Sequence, residues 1–465
     1  MAVGFWNLNH PSAATAVVLP DNRLVNYKAL ALQSDGLADA LAWYGRRTLS
    51  FLLCRNGAEC LAAYLGALRS GHVACLLDTE LQPELFDSLL ETYKPDFVFT
   101  PCQRSVAGYA EAESPFGFLY RRDAAPCDLP LAPDLALLLP TSGSTGSPKL
   151  VRLSLKNLQA NAESIISYLQ LSPEDRGLTS LPMSYSYGLS IVNTHLLAGG
   201  RLLVTNGGFL QRDYWDFVSA QRASSIAGVP YHYEVMLSMR MLEKDLPGLR
   251  LLTQAGGHLS ADRVSQLERL CFRRGWQFFV MYGQTEATAR IAYVPPAHLQ
   301  DKPGSIGVAI PGGTLSLDAD TGELLYRGPN VMLGYAETRS DLGKADELGG
   351  QLRTGDLARR DEEGFYYITG RLKRFLKVFG KRFSLDEMEE ILGRHGCGAL
   401  ACFGTDDHIV VALQRRDREH QVAGILEQLF KIHPSAFRIV NVDVLPRFPN
   451  SKIDYQSLAR LESSR

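Results

Sequence analysis

Apolar and polar residues follow one another along this chain in a pattern typical of a sheet covered by helices. Apolar runs at Leu49 to Leu53 and at Val73 to Leu77 each predict a buried strand. Between them, apolar residues recur at helical spacing, at Cys60, Leu61, Tyr64, Leu65 and Leu68. Gly71 ends this helix. A strand–helix–strand unit favours a parallel sheet.

The same alternation continues beyond this unit. A helix and a strand near 97–100 follow, and further alternation spans 176–205 and 223–282. From Gly312 to Tyr335 the pattern changes to short runs broken by Gly, Asp and Asn, which predicts a small antiparallel sheet. The last part of the chain predicts two short strands after Gly364, a helix over 385–394, a strand over 408–414 and a helix over 419–432.

These elements predict an α/β protein of two domains. The large N-terminal domain, residues 1–370, has mainly parallel sheets flanked by helices and a small β subdomain. The small C-terminal domain, residues 371–465, is α+β. We place the boundary at Gly370–Lys373, where a predicted strand ends in a charged turn.

Composition excludes several classes of function. The chain has 465 residues, of which 46% are hydrophobic and 21% charged, and its net charge is −2. This balance is that of a globular protein without long-range attraction for nucleic acid or anionic lipid. No apolar run approaches the roughly 20 residues that cross a bilayer, and the N-terminus has no secretory pattern. We expect a cytoplasmic protein without a membrane span.

Cysteine, histidine and basic residues do not form recognisable sites by themselves. The 8 cysteines contain no CxxC pair, so they are expected to be reduced thiols, and the 10 histidines form no metal-binding spacing. The boundary region carries a basic run with no aromatic platform beyond Phe375 and Phe379. We interpret this run as a hinge and a solvated face, formed by Arg371, Lys373, Arg374, Lys377, Lys381 and Arg382.

The segment "TSGSTGSPK", residues 141–149, suggests either a flexible linker or a phosphate-binding loop. An apolar strand precedes it, and an amphipathic helix follows, with apolar residues at Leu158, Ala162, Ile165, Ile166 and Leu169. A strand–loop–helix layout lets backbone N–H groups, hydroxyls and the Lys149 ammonium surround an anion. The loop is not a Walker A motif, because no Lys-Ser/Thr pair follows its glycine.

Four segments in order extend this interpretation. They are "TSGSTGSPK" at 141–149, "MYGQTEA" at 281–287, "LRTGDLARRDEEGFYYITGR" at 352–371 and "PNSKIDY" at 449–455. Together they resemble the acyl-adenylate-forming superfamily of acyl- and aryl-CoA ligases, peptide-synthetase adenylation domains and luciferases. The resemblance covers essentially the whole chain, and "LGALRSGHVACLLD" near the start also fits it.

The resemblance implies a two-step reaction. A carboxylic acid attacks the α-phosphate of ATP to give acyl-AMP and pyrophosphate, and a thiol then takes the acyl group. ATP and Mg²⁺ are implied, with coenzyme A as the thiol. The attacking acid is already ionised at neutral pH, so neutralising the triphosphate matters more than a general base.

The resemblance also implies site residues. The phosphate-binding loop is Thr141, Ser142, Gly143, Ser144, Thr145 and Gly146, together with Lys149. Glu286 would bind Mg²⁺ beside Thr285. Adenine would lie against Tyr282, Gly283, Ala255, Gly256 and Gly257. Asp356 and Arg371 would bind the ribose or phosphates. Lys373 would be the hinge on which the small, mobile lid domain rotates, and Lys452 would be the lysine that this domain carries to the reacting carboxylate.

This sequence departs from the family pattern at several places. Leu150 stands where a glycine usually follows the loop lysine, Leu155 replaces a histidine, and Ser451 replaces a glycine before Lys452. The hinge turn has Lys373 and Arg374 where acidic residues are common. None of these changes removes a charge that the chemistry needs.

The segment "LPMSYSYGLS", 181–190, matches the acyl pocket of the family, with Tyr185 as an aromatic gate and Ser186 and Gly188 beside it. Tyr231 and Tyr233 are expected to form another wall. Amino-acid-activating members carry an aspartate where Ser186 stands, and it pairs with the α-ammonium. Without that carboxylate the ammonium would lose a charge-assisted hydrogen bond of roughly 1.5–3 kcal/mol. We therefore favour an aryl or medium acyl acid.

The acceptor of the acyl group stays open at this point. Coenzyme A is favoured, but a stand-alone adenylation enzyme that loads an amino or aryl acid onto a separate carrier protein, or an amide-forming ligase, fits the same motifs. A non-catalytic nucleotide-binding relative would bind adenylate without pyrophosphate exchange. A P-loop ATPase would release phosphate instead.

Overall fold

The computed structural model of the protein describes residues 4–125, 127–140, 149–205, 207–372, 374–379, 381–405, 407–448 and 452–463. These residues form two compact units. The first contains the described residues up to 140, residues 149–314 and Arg327–Leu352. The second contains Leu315–Tyr326 and the described residues from Arg353 onward.

The α-helices of the described chain are α1 (Tyr27–Leu41), α2 (Ala58–Arg69), α3 (Pro83–Tyr93), α4 (Leu155–Leu169), α5 (Ser186–Ala198), α6 (Arg212–Ala220), α7 (Pro230–Ser238), α8 (Ala261–Arg274), α9 (Leu385–Arg394), α10 (Glu419–Gln428) and α11 (Tyr455–Ser463). Within this part of the chain, no helix is both long enough and apolar enough to cross a membrane.

The strands of the first unit are β1 (Thr15–Val18), β2 (Leu24–Asn26), β3 (Leu49–Cys54), β4 (Val73–Asp78), β5 (Phe97–Thr100), β6 (Tyr109–Ala112), β7 (Phe118–Arg122), β8 (Leu135–Pro140), β9 (Leu150–Ser154), β10 (Arg176–Leu178), β11 (Arg201–Leu203), β12 (Ser225–Gly228), β13 (Leu251–Gln254), β14 (Gln277–Tyr282), β15 (Ala292–Tyr293), β16 (Val308–Ala309) and β19 (Gly334–Ala336). Those assigned wholly or mostly to the second unit are β17 (Thr314–Leu317), β18 (Glu323–Arg327), β20 (Gln351–Arg360), β21 (Tyr366–Arg371), β22 (Phe375–Val378), β23 (Lys381–Ser384), β24 (Leu400–Thr405), β25 (His408–Leu413) and β26 (Phe437–Asn441).

Two large sheets form the first unit. One has the strand order β19-β9-β8-β4-β3-β5-β7-β6, and its central strands β8, β4, β3 and β5 run parallel. The other has the order β16-β15-β14-β13-β12-β10-β11-β1-β2, with parallel pairing from β14 to β1. Every residue of β3 is buried, as expected for a parallel strand covered on both faces.

Helix α2 is apolar on all of its sides. Its buried residues lie all around the helix rather than on one stripe, because α2 packs between the sheet and α1. A Cβ atom at Gly66 would lie 2.5 Å from the carbonyl oxygen of Ser34 on α1. Glycine is therefore required for the two helices to approach this closely.

The second unit contains three smaller sheets. Strands β17, β18, β20 and β21 form one, β22 and β23 form an antiparallel hairpin, and β24, β25 and β26 form the third. Met388 and Leu392 of α9 and Val422 and Leu426 of α10 are buried in a core with residues of β24 and β25. These elements have the α+β character that we predicted for the end of the chain.

Most predicted elements are confirmed, including the α/β class and the parallel β3–α2–β4 unit. The predicted strand–loop–helix layout around residues 141–149 is wrong. Strand β9 lies between this segment and α4, and it pairs antiparallel with β8, so that Pro140 is opposite Leu150. The N-terminus of α4 is formed by a capping box of Ser154 and Asn157, after β9 has ended.

Further corrections concern the second half of the chain. The small antiparallel sheet predicted for 312–335 includes β17 and β18, but β19 pairs with β9 in a large sheet instead. Helix α10 ends at Gln428 rather than at 432, and β24, β26 and α11 were not predicted. The domain boundary at 370/371 stays a prediction. By their contacts, residues 353–370 group with the second unit.

Candidate active site

Part of the predicted site lies outside the described residues. This holds for Thr141, Ser142, Gly143, Ser144, Thr145 and Gly146 of the predicted phosphate loop and for the predicted hinge Lys373. The described residues on either side of the loop are Pro140 and Lys149. Lys149 directly precedes β9, so the pairing of β9 with β8 fixes the backbone position of Lys149.

Lys149, Tyr335 and Glu286 form a connected set in the first unit. The Lys149 ammonium lies 3.6 Å from the centre of the Tyr335 ring and 3.5 Å from a carboxylate oxygen of Glu337. The Tyr335 hydroxyl donates a hydrogen bond of 2.8 Å to Oε1 of Glu286. Burial raises the pKa of Tyr335, and the Glu286 charge raises it further, so this hydroxyl keeps its proton. One tyrosine therefore contacts both the predicted phosphate lysine and the predicted metal ligand.

Strand pairing brings these residues together. Tyr335 lies on β19, opposite Val151 of β9, which places it next to Lys149 at the start of β9. The backbone N–H of Met332 donates to the carbonyl oxygen of Glu286 at 2.9 Å. The segment that leads into β19 is thus bonded to the segment that carries the carboxylate.

Glu286 fits a Mg²⁺ ligand by its chemistry. Among the described residues, Tyr335 is the one hydrogen-bond donor to its carboxylate, and no group of three or more metal-binding side chains is present there. Mg²⁺ is commonly held by one or two carboxylates with substrate phosphates and water completing its shell. A single half-buried carboxylate of this kind suits a metal that arrives with a nucleotide.

Thr285 and the acyl-pocket segment also meet. The hydroxyls of Thr285 and Ser186 lie 3.3 Å apart, so the residue preceding the metal ligand contacts the start of α5. Tyr185, which precedes Ser186, lies over Gly256. A Cβ atom at Gly256 would be 2.6 Å from the Tyr185 hydroxyl, and the φ of +83° there also favours glycine.

The predicted adenine segment has a fixed turn. Ala255 is buried, and its backbone N–H donates to Gly228 at 3.3 Å. The Gln254 side chain donates to the carbonyl oxygen of Gly257 at 2.9 Å. Tyr282 is half-buried and is the last residue of β14, the strand that pairs with β13. These residues lie at the same edge of the parallel sheet, since β13 and β14 are adjacent.

Two predicted glycines have clear packing roles. A Cβ atom at Gly188 would lie 2.1 Å from the carbonyl oxygen of Pro182, and one at Gly283 would lie 2.0 Å from that of Ala289. Both positions bring two stretches of backbone into close contact. Gly188 thus holds the start of α5 against the segment that precedes Tyr185.

The two tyrosines predicted for a second pocket wall differ. Tyr231 is 40% exposed, and its ring contacts Phe209. Tyr233 is fully buried, and its hydroxyl donates to the carbonyl oxygen of Thr253 at 2.8 Å. Tyr233 is therefore a core residue, and the prediction that its side chain lines a pocket wall is wrong.

The second unit carries the predicted ribose residues as a pair. Asp356 on β20 is directly opposite Arg371 on β21, and their side chains form a salt bridge of 3.0 Å. Asp356 is buried, whereas the Arg371 side chain is 59% exposed. The N–H of Gly355 donates to Glu323 at 2.9 Å, which fixes the turn before the aspartate.

Lys452 lies three residues before the first residue of the last helix, Tyr455. Its carbonyl oxygen accepts a 2.8 Å hydrogen bond from the N–H of Phe448. Asp454 caps α11 by accepting from the N–H groups of Gln456 and Ser457 at 3.1 and 3.0 Å. Lys452 is thus held between a short backbone bridge and a capped helix.

Arg374 corrects our interpretation of the basic run. It is not part of a solvated face, because its guanidinium contacts the carboxylates of Asp386 and Glu389, the latter at 2.8 Å. It also lies 4.1 Å from the ring centre of Tyr455, the first residue of α11. Burial raises the pKa of Glu389 even though Arg374 opposes the shift. The network therefore connects the segment after Lys373 to the helix that follows Lys452.

The contacts of Tyr335 in the first unit and those of Arg374 and Glu389 in the second unit were not predicted. Tyr335 stands in "MLGYAE", where nothing marks it as a partner of residues 149 and 286. Its role depends on the pairing of β19 with β9, which is a contact between distant parts of the chain. A predicted pairing of these two strands would have found it.

Comparisons with known proteins identify the family of the chain. Residues 5–336 match the family described as AMP-binding enzyme. Indoleacetate–CoA ligase of Aromatoleum aromaticum is 30% identical over 492 residues, which cover 96% of this chain and 95% of that protein. Feruloyl-CoA synthase of an Amycolatopsis species is 30% identical over 341 residues, which cover 70% of this chain and 68% of that protein.

Solved structures show the same fold. The o-succinylbenzoate CoA synthetase of Bacillus subtilis, in complex with its acyl-adenylate intermediate, has a TM-score of 0.80 at 22% identity and covers 98% of both chains. The same enzyme with ATP and a magnesium ion has a TM-score of 0.76 at 24% identity and covers 96% of both chains.

The half-buried network around Arg374 generates a stability prediction. Replacing Arg374 by alanine leaves the carboxylates of Asp386 and Glu389 without their cation, which costs about 2 kcal/mol for a partly buried pair. Arg374→Ala should therefore lower the free energy of unfolding by about this amount, measured by chemical denaturation followed by circular dichroism. The matched control is Lys377→Ala, since Lys377 is exposed, and it should change stability by less than about 0.5 kcal/mol. Equal effects of the two variants would show that Arg374 is an ordinary surface charge.

Proposed function

The chain belongs to the AMP-binding enzymes, and we propose that it joins a carboxylic acid to coenzyme A with ATP. It is an AMP-forming acid–CoA ligase: the acid and ATP give acyl-AMP and pyrophosphate, and the thiol of coenzyme A then displaces AMP. The observation that carries this proposal is the contact of Tyr335 with both Lys149 and Glu286. A lysine ammonium and a candidate metal-binding carboxylate thus contact the same tyrosine, and activating a triphosphate needs both groups.

The acid is an aryl or medium acyl carboxylate. Ser186 stands where an α-ammonium would need a carboxylate, and its hydroxyl is close to that of Thr285, at 3.3 Å. Relatives with 30% identity are named for indoleacetate and ferulate, which are both aryl acids. An uncharged aryl or alkyl body suits a site without a partner for an ammonium group.

The residues divide the work of the first step. Lys149 reduces the negative charge that the attacking carboxylate meets, because it lies beside the loop that would hold the phosphates. Glu286, oriented by Tyr335, would hold Mg²⁺, and Thr285 beside it would contact the α-phosphate. When bound, the ion supplies further neutralisation of phosphate charge. Asp356 and Arg371 would hold the ribose, since a carboxylate can accept from two hydroxyls at once.

We place the reaction in the cytoplasm. ATP and coenzyme A are both available there, and all 8 cysteines are unpaired thiols, as a reducing compartment would keep them.

The proposed function is tested by ATP–pyrophosphate exchange with a panel of aryl, medium-chain and α-amino acids. An aryl or medium-chain acid should give the fastest exchange, and added coenzyme A should convert the same acid to its thioester. Strong exchange with an α-amino acid and none with its deaminated analogue would refute the assignment from Ser186. Release of free phosphate in place of pyrophosphate would refute the ligase itself.

Tyr335→Phe removes the hydroxyl that orients Glu286 but keeps the ring beside Lys149. We expect the Mg²⁺ concentration for half-maximal exchange to rise by about tenfold, as for other residues that orient a metal ligand. The matched control is Tyr93→Phe. The Tyr93 hydroxyl donates to the carbonyl oxygen of Ala336, on the same strand as Tyr335, at 2.7 Å. Its Mg²⁺ dependence should stay unchanged, and a similar rise in both variants would mean that β19 has only been loosened.

Lys452 should serve the first half-reaction alone. An ammonium between the attacking carboxylate and the α-phosphate lowers a barrier that exists only while acyl-AMP forms. Lys452→Ala should therefore abolish acid-dependent pyrophosphate exchange but convert supplied acyl-AMP and coenzyme A to thioester at a near-normal rate. The control is Lys431→Ala, on an exposed position of the same unit. Equal loss of both half-reactions in a folded Lys452 variant would contradict this assignment.

A further inference from the structure

Thr288 adopts a backbone conformation that is rare for a β-branched residue. Its φ is +64° and its ψ is −53°, and the N–H of Ala289 donates to the carbonyl oxygen of Ala287 at 2.6 Å. A three-residue turn with these angles is a γ-turn of the rare and strained kind. For a β-branched residue, a positive φ is in addition a clear outlier. Such a conformation persists only where the surrounding bonds enforce it.

Asn330 forms the bonds that hold this turn. Its side chain is buried, and its Nδ2 donates to the carbonyl oxygens of Ala287 and Arg290, at 2.9 and 2.8 Å. Its own carbonyl oxygen accepts from the Thr288 hydroxyl at 2.7 Å. The turn is therefore bonded to Asn330 before, at and after its strained residue.

The segment that carries Asn330 is itself held by helix α4. Asn157, in the first turn of α4, donates from its Nδ2 to the carbonyl oxygens of Pro329 and Val331, at 2.8 and 2.7 Å. The Oδ1 of the same side chain accepts from the N–H of Ser154 at 2.9 Å, within the capping box. Both neighbours of Asn330 are thus fixed to the N-terminus of α4, and Asn330 holds the turn from a fixed position.

The strained turn directly follows the candidate metal ligand. Glu286 lies in the short 3₁₀ turn Thr285–Ala287, and the N–H of Thr288 donates to the carbonyl oxygen of Thr285 at 2.9 Å. The backbone of Glu286 is therefore connected to the turn both along the chain and by a hydrogen bond. Tyr335 orients the carboxylate of Glu286, whereas the turn fixes the backbone from which this carboxylate extends.

We propose that Thr288 and Asn330 are positioning residues for the ATP-dependent reaction, and that they hold Glu286 where its carboxylate can bind the Mg²⁺ ion of the nucleotide. This inference rests on the proposed function. The hydroxyl of Thr288 is the decisive group, because it bonds the strained residue to Asn330. If the turn served the fold alone, replacing Thr288 would change stability and leave the effect of Mg²⁺ on nucleotide binding intact.

The test measures the affinity of the enzyme for α,β-methylene-ATP by isothermal titration calorimetry, once with Mg²⁺ and once with EDTA. This analogue cannot release pyrophosphate, so the measurement depends neither on turnover nor on the identity of the acid. The ratio of the dissociation constant in EDTA to that in Mg²⁺ reports how much the metal ion contributes to nucleotide binding. A general loosening of the nucleotide site would weaken both affinities and leave this ratio unchanged.

Thr288→Val removes the hydroxyl and keeps the branched shape. It should lower the ratio by roughly tenfold, because residues that place a metal ligand typically contribute this much to metal affinity. Thr288→Gly should lower the ratio as well, although glycine tolerates a positive φ and the melting temperature should stay close to that of the wild-type enzyme. Thr288→Ser keeps the hydroxyl and should retain the wild-type ratio.

The matched control is Thr100→Val. Thr100 is also a buried threonine, and its hydroxyl donates to the carbonyl oxygen of Cys102 at 2.9 Å, at the end of β5. Its replacement removes the same kind of hydrogen bond from a position outside the candidate active site. The ratio of the two dissociation constants should therefore stay unchanged in this variant.

Each outcome decides between the alternatives. A wild-type ratio in Thr288→Gly would overturn the inference and leave the ligase assignment intact, and this variant decides the matter if Thr288→Val does not fold. An equal fall of the ratio in Thr288→Ser or in Thr100→Val would also overturn it, since the hydroxyl of Thr288 would then not be the cause. If Mg²⁺ does not strengthen binding to the wild-type enzyme, the metal-binding role of Glu286 is wrong and this inference with it. Failure of the wild-type enzyme to bind the nucleotide under either condition would overturn the proposed function itself.

Discussion

The buried guanidinium of Arg152 holds the strand on which the candidate active site depends. It is fully buried and donates to the carbonyl oxygens of Tyr335 at 3.1 Å, Leu333 at 3.2 Å and Lys344 at 2.6 Å, and it also contacts the carboxylate of Glu347. Strand β19 is only three residues long, so its own ladder bonds hold it weakly. Arg152 supplies the additional bonds. Together with the pairing of β19 with β9, this side chain fixes the position of Tyr335 and thereby its contact with Lys149 and Glu286.

The carboxylates of Glu286 and Asp356 have different partners, and these partners suit them to different ligands. Glu286 accepts from a neutral hydroxyl, so its charge is undiminished and can attract a metal ion. Asp356 is paired with Arg371 at 3.0 Å, and a metal ion would be repelled by that guanidinium. A carboxylate beside a cation is better suited to accept hydrogen bonds from neutral hydroxyls, such as those of a ribose. The groups that contact each carboxylate therefore favour a metal ion as the ligand of Glu286 and hydroxyl groups as the ligands of Asp356.

The sequence predicted the elements whose pattern is local. Strands β3 and β4 and helix α2 are marked by their own apolar residues, and so are α4 and α9. The pairing of β19 with β9 and the network of Arg374 could not be predicted in this way. Both join residues that are far apart in the chain, and in each case the decisive side chain looks like an ordinary surface residue in its own segment. Arg374 in particular follows Lys373 in a basic run, and only the fold brings Glu389 to it.

Arg152 and Arg290 show what a buried arginine requires. Both are almost completely buried, yet Arg152 has a carboxylate and three close carbonyl oxygens, whereas the acceptors of Arg290 are all neutral and lie at 3.3 to 3.4 Å. Burying a charge without compensation costs several kcal/mol, and Tyr187 offsets only part of this cost through its ring. Arg152 is satisfied by the chain itself and therefore serves the fold. Arg290 lacks such acceptors, so the described residues leave part of the cost of burying its charge uncompensated.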